Sequence, residues 1–194
     1  MTSPAFDPLR LHVAHFAADA QEAEGDWAVS ELPRLADSEC PVEAGGPARE
    51  PADATRRVRW QAVGSTRTVG GEDQVWLHLL AGADVILQCQ RCLQPLVEPV
   101  AVDRHFRFVA DEATAAKLDD EIEDEVLALP RTLDLRELVE DEMLLALPLV
   151  PRHEVCPQPV TMQFGDVEEV EEKANPFAAL AQLRGKTDGG SDVH

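Results

Sequence analysis

A chain of 194 residues is long enough for one domain with tails. Hydrophobic residues make up 44% of it and aromatic residues 5%, with no Tyr, so any core must be mostly aliphatic. With 37 acidic and 17 basic residues the formal charge is −20, which argues against broad non-specific nucleic-acid binding, because such binding depends on neutralising phosphates.

The charge is unevenly spread. Residues 1–48 carry 2 basic and 9 acidic groups, net −7; residues 49–107 carry 8 and 7, net +1; residues 108–194 carry 7 and 21, net −14. All 8 cations of the middle stretch are Arg, the side chain suited to bidentate phosphate contact. The acidic carboxy-terminal stretch suits a basic partner, or simply keeps the chain in solution. Residues 1–25 hold Asp7, Asp19, Glu22 and Glu24 and no signal-like apolar run. No stretch reaches the ~20 apolar residues of a membrane span, so a cytoplasmic location with reduced cysteines is expected.

In chain order, Asp7 as N-cap and Pro8 at the first helical position open a short helix to Ala20, with Leu9, Val13 and Phe16 on one face. Residues 41–54, rich in Pro, Gly and Ala, read as a linker. Arg57, Arg59 and Gln61 then alternate with Val58, Trp60 and Ala62, a half-buried strand. Gly70-Gly71 marks a turn, Val75 to Leu80 a second strand, Gly82 to Asp84 a break, and Val85 to Leu87 a further strand running into Cys89. Val97 to Val109 alternates again through Val100, Val102, Phe106 and Phe108. Residues 111–125 are acidic surface loop or helix, and Glu125 to Leu129 a short strand.

The clearest helix starts at Asp134, with Glu137 three residues on as in a capping box. Leu135, Leu138, Val139 and Leu145 fit one apolar face, with Glu140 and Asp141 near the other, and Pro148 stops it. Residues 166–173 form an acidic tether, and Asn175-Pro176 opens a second short helix striped by Phe177, Leu180 and Leu183. The fold class is therefore α+β: an antiparallel meander or partial barrel with a capping helix and a short C-terminal helix. The organisation is 1–54 as a helical and loop segment with linker, 55–165 as the sheet-plus-helix core, and 166–194 as tether, helix and tail.

Cys89-Gln90-Arg91-Cys92 is the sharpest motif. Two thiolates at this spacing can chelate one zinc ion, and His153 and Cys156 form a second pair at the same separation. Together they make a three-cysteine, one-histidine set, although 60 residues lie between Cys92 and His153. Reduced thiols at a strand end are the alternative reading. A thioredoxin-like role does not suit a motif followed by Pro95 and alternating residues.

No other sequence motif carries chemistry. No nucleophilic triad, phosphate-binding glycine loop or metalloprotease motif is present, so no catalytic residue and no small-molecule substrate is assigned. Glu137, Glu140, Asp141 and Glu142 read as a solvated helix face or a surface for a basic protein. His12, His15, His78 and His105 read as isolated packing or surface residues. Arg57, Arg59, Arg91, Arg104 and Arg107 are candidates for an RNA-contact patch, with Trp60 and Phe106 either stacking on bases or buried in the core.

Three blocks resemble the bacterial YceD family. These are Cys89-Gln90-Arg91-Cys92-Leu93 followed by Pro95, the run LVEDEMLLALPLVPRHEVC from Leu138 to Cys156, and Asn175-Pro176-Phe177-Ala178-Ala179-Leu180. Phe164-Gly165 adds to them, and Phe6-Asp7-Pro8 gives a looser likeness at the amino end. The resemblance implies a non-enzymatic accessory factor for synthesis, processing or stability of large-subunit (23S) ribosomal RNA. Its partner would be the pre-ribosomal large subunit, met as RNA or as a basic ribosomal protein. Glu140, Asp141, Glu142, Phe177 and Leu180 are the candidate partner-binding residues. Cys89, Cys92, His153 and Cys156 are the candidate ligands of one structural zinc, the sole cofactor considered. The competing reading is a zinc- or thiol-dependent adaptor unrelated to RNA.

Overall fold

The computed structural model describes residues 6–40, 56–69, 71–119 and 125–157. The chain divides after Pro159 into two units, and all described residues belong to the first. The expected linker, Phe164-Gly165, the acidic tether and the helix with Phe177 and Leu180 lie outside the described residues.

Five strands form one sheet in sequence order: β1 (Glu22–Ala28), β2 (Arg57–Val69), β3 (Glu72–Gln88), β4 (Pro95–Val109) and β5 (Glu125–Ala128). The first four run antiparallel as a meander. β5 lies parallel to β4, which requires a crossover, and α3 (Glu112–Asp119) lies on the connection between them. The mixed α+β class and the mainly antiparallel open sheet follow the expected pattern.

The period-two reading of the sheet holds. Val58, Trp60 and Ala62 of β2, Leu77 and Leu79 of β3, and Val100, Val102, Phe106 and Phe108 of β4 are all buried. The expected break at Gly82 to Asp84 does not occur. Gly82 pairs with Arg59 on one side and Ala101 on the other, so its ladder bonds on both flanks hold the strand extended. Gly71, at φ +89°, makes the β2–β3 turn.

Helices cover one face of this sheet. α1 (Val13–Ala18) packs on β2 and β3, and α4 (Leu135–Leu145) on β3 and β4; α2 (Pro33–Ser38) packs against α4. The helix expected from Pro8 to Ala20 is interrupted. A 3-10 turn at Pro8–Arg10, capped by Asp7 through the Leu9 N–H, gives way at Leu11, whose N–H and C=O both bond Leu133 at 2.8 Å. Leu9 is therefore exposed while Val13 and Phe16 are buried. α4 begins as expected, with Asp134 accepting from the N–H groups of Arg136 and Glu137 at 2.9 and 3.1 Å. Its buried stripe is Leu135, Val139 and Met143, with Leu138 at the margin; Leu145, expected on that face, is 74% exposed in the last turn.

Candidate metal centre and arginine face

β3 ends at Gln88 and β4 starts at Pro95, so Cys89 to Gln94 form the connection of a long hairpin. The loop closes on itself: Leu93 N–H donates to the Cys89 carbonyl at 2.9 Å, and Cys89 N–H to the Gln94 carbonyl at 3.0 Å. Leu93 takes a left-handed φ of +59°, which turns the chain back after the second cysteine. The stretch leaving α4 returns to this tip, where Gln90 N–H donates to the Pro151 carbonyl at 2.9 Å.

That return carries the second pair to the first. The ligand atoms of Cys89, Cys92, His153 and Cys156 all lie within 4.8 Å of one another, and Cys92 Sγ is 3.4 Å from His153 Nδ1. With zinc–sulfur bonds of roughly 2.3 Å and zinc–nitrogen bonds of roughly 2.0 Å, tetrahedral ligands stand about 3.5 Å apart, so the donor set fits zinc in composition and spacing. Arg91 braces the loop: its Nε donates to Cys156 Sγ at 3.0 Å, and its terminal nitrogen to the carbonyls of His153 and Glu154 at 2.8 and 3.2 Å.

The thiols are unequal. Burial pushes Cys89 up, but the backbone N–H groups of Cys92, His153 and Arg91 and the Cys92 side chain outweigh it and bring the thiol down to about 5. Burial raises Cys92, and the Cys156 and Cys89 side chains add to the rise despite a Gln94 backbone bond. Cys89 is thus prepared as thiolate, whereas Cys92 would release its proton on binding a metal.

The expected arginine patch separates into three groups. Arg57 and Arg59 stand at alternate positions of β2 on the face away from α1 and α4, and Arg107 lies on the same face, opposite Trp76, which itself is opposite Ser65. Arg57 is paired with Asp26. Arg67 sits 4.1 Å over the Trp76 ring. Arg104 instead projects to the helical side, where its Nε is 3.4 Å from Glu142 Oε2. Arg91 belongs to the hairpin tip, bonded to Cys156, His153 and Glu154. Trp60 and Phe106 are buried at 6% and 1% exposure, so neither offers a ring for base stacking.

Of the acidic face expected on α4, Glu140 and Glu142 are turned inward, while Glu137 is exposed and Asp141 half-exposed. Glu140 is 5% exposed and acts as a cap for α2: one oxygen accepts from the backbone N–H groups of Arg34 and Leu35 at 2.6 and 3.1 Å, the other from the Arg34 guanidinium at 3.0–3.1 Å. Arg34 also reaches Asp141 at 2.5 Å. Glu142 is 7% exposed; burial raises its carboxyl above the ordinary range, with Arg104 opposing. Glu140 and Glu142 are internal partners, which corrects their reading as a solvated or partner-binding face.

Sequence reasoning also missed a pairing on the open sheet face. His78 and His105 are cross-strand neighbours with rings stacked at 4.0 Å, and His78 Nε2 lies 2.7 Å from Asp103 Oδ1. Asp103 and His105 at alternate positions were a visible signal; the register that brings His78 opposite was not.

Residues 77–184 match the family described as Large ribosomal RNA subunit accumulation protein YceD. A protein of that name from Haemophilus influenzae is 40% identical over 107 residues, covering 53% of this chain and 62% of that relative. The match therefore spans less than two thirds of the relative's own length. No solved structure matches. The matched stretch contains both halves of the cysteine–histidine set and all of α4.

Proposed function

The chain belongs to the YceD family, and from that premise we propose that it supports the accumulation of large-subunit ribosomal RNA by binding an immature large-subunit particle. The observation that carries this reading is the family match over residues 77–184, which runs through the hairpin tip and α4. It supports a ribosomal role over an adaptor unrelated to RNA. No helix among the described residues is long and apolar enough to cross a membrane.

Direct RNA contact through the open sheet face is the favoured route. Arg57, Arg59, Arg67 and Arg107 share that face with the carboxylates of Glu22, Glu24, Asp26 and Asp103, and Arg57 would exchange its Asp26 partner for phosphate. The rival route, capture of a basic protein by α4, is weakened because Glu140 and Glu142 are already engaged. Binding of the purified chain to large-subunit RNA, measured against salt, tests the route. Arg57→Glu with Arg59→Glu should abolish binding or shallow the salt slope by roughly 1.4–1.8, at about 0.7–0.9 per lost contact. Binding unchanged by the double reversal contradicts it.

We also assign one structural zinc ion to Cys89, Cys92, His153 and Cys156, supported by their convergence within 4.8 Å. The ion would supply charge and four bonds that hold the chain after α4 against the hairpin tip. Chain purified without chelator or histidine tag should carry one tightly held equivalent of zinc, lost in Cys92→Ser. Absence of that equivalent removes the assignment.

A further inference from the structure

The fold brings His78, His105 and Asp103 together on the open sheet face, and their ligand atoms lie within 4.8 Å of one another. We propose that these three side chains form a second metal site, separate from the cysteine set, for a divalent ion of the zinc and cobalt class. The inference stands independently of any ribosomal role.

The backbone supplies the preorganisation. At His78, β3 is paired on both sides, with Val63 of β2 and His105 of β4, so the two imidazoles are set opposite by the ladder. Stacked 9° from parallel, the two rings share one small patch, but their lone pairs lie in parallel planes, so holding one ion also requires the exposed His105 ring to turn about its side-chain bonds. Asp103 lies two residues before His105 on β4 and therefore on the same side of the sheet.

The chemistry selects the ion. Two imidazoles with one carboxylate suit transition metals and leave positions open for water or another oxygen ligand. Magnesium prefers an oxygen shell and would not compete well for two ring nitrogens. The 2.7 Å between His78 Nε2 and Asp103 Oδ1 is shorter than the roughly 3.3 Å between ligands on one tetrahedral zinc. Admitting the ion asks the carboxylate to swing outward by about half an ångström on that geometry. Asp103 is exposed, with a side chain at 71% relative accessibility, so that movement meets little resistance. The overall charge of −20 raises the local concentration of cations.

Zinc titration of the full, untagged chain by calorimetry, in excess magnesium to suppress weak carboxylate binding, tests the site. Cobalt absorption provides a second readout, since this site has no thiolate and gives no sulfur-to-metal charge-transfer band. His105→Ala, and separately Asp103→Asn, should cost one equivalent or weaken it by roughly a hundredfold or more, given that even an outer-shell partner is worth about 10–100-fold. Both positions are exposed, so the variants should fold, as checked by circular dichroism. Cys92→Ser should spare this equivalent. Zinc binding unaltered by either surface variant, or an equivalent that disappears only with Cys92→Ser, overturns the proposal.

Discussion

The hairpin tip and α4 went opposite ways between sequence and structure. At the tip, two pairs separated by 60 residues converge on one point. On α4, carboxylates that formed an apparent surface are drawn inward by two neighbours, Arg34 and Arg104. The difference lies in what each pattern leaves open. A cysteine pair has few roles, and a second pair nearby completes one of them. A glutamate beside a buried stripe has many, and which applies depends on what packs against that flank.

Substitutions should separate the two regions by size of effect. Cys92→Ser should have the largest, since structural zinc contributes about 10–16 kcal/mol of apparent binding free energy in small peptides. Here the sheet has its own core, so the expected outcome is a lower Tm and faster amide exchange at Gln90, rather than a loss of fold. A variant with unchanged Tm and exchange would break the comparison at the tip.

Glu140→Ala comes next, at about 3 kcal/mol by denaturant unfolding, because it removes a buried acceptor for two backbone N–H groups and the Arg34 guanidinium. A cost below about 1 kcal/mol would return Glu140 to the solvated face that the sequence suggested. Arg91→Ala should lower zinc affinity by about 10–100-fold while leaving one equivalent bound, because it braces Cys156 and the two carbonyls without ligating metal.

Glu142 gives a pH signature. Its native carboxyl sits above the ordinary range, so the native state holds this proton more tightly than the unfolded chain does. Its contribution favours the fold below the ordinary carboxylate range and is lost as pH rises through the raised native value. Glu142→Gln should remove that component from the stability profile. The smallest effect belongs to Asp141→Asn, below about 1 kcal/mol, since the Arg34–Asp141 pair is nearly half exposed on both sides.

Much of the sheet was legible because its strands carry a strict alternation, as in Val58, Trp60 and Ala62 or Phe106 and Phe108. β1 was not, because Glu22, Glu24 and Asp26 alternate with small residues such as Ala23 and Gly25, which have little strand preference of their own. It is a strand because β2 offers it a partner edge. α2 was missed for a similar reason: six residues cannot signal a helix, and its first turn is capped by Glu140 from over a hundred positions away. Failing to see α2 is what made Glu140 look like surface. At the hairpin tip, the residue types and local spacing of the cysteine–histidine set were written in the sequence, whereas Arg91 as their brace required the return of Pro151 to the tip.

The most direct test is the ratio of large- to small-subunit ribosomal RNA in cells deleted for this chain and supplied with either the unaltered protein or the Arg57→Glu, Arg59→Glu double variant. The account predicts that large-subunit RNA falls on deletion, recovers with the unaltered chain, and fails to recover with the charge-reversed face although that variant folds. A normal ratio in the deleted cells, with ribosomal particles sedimenting as usual, would contradict it.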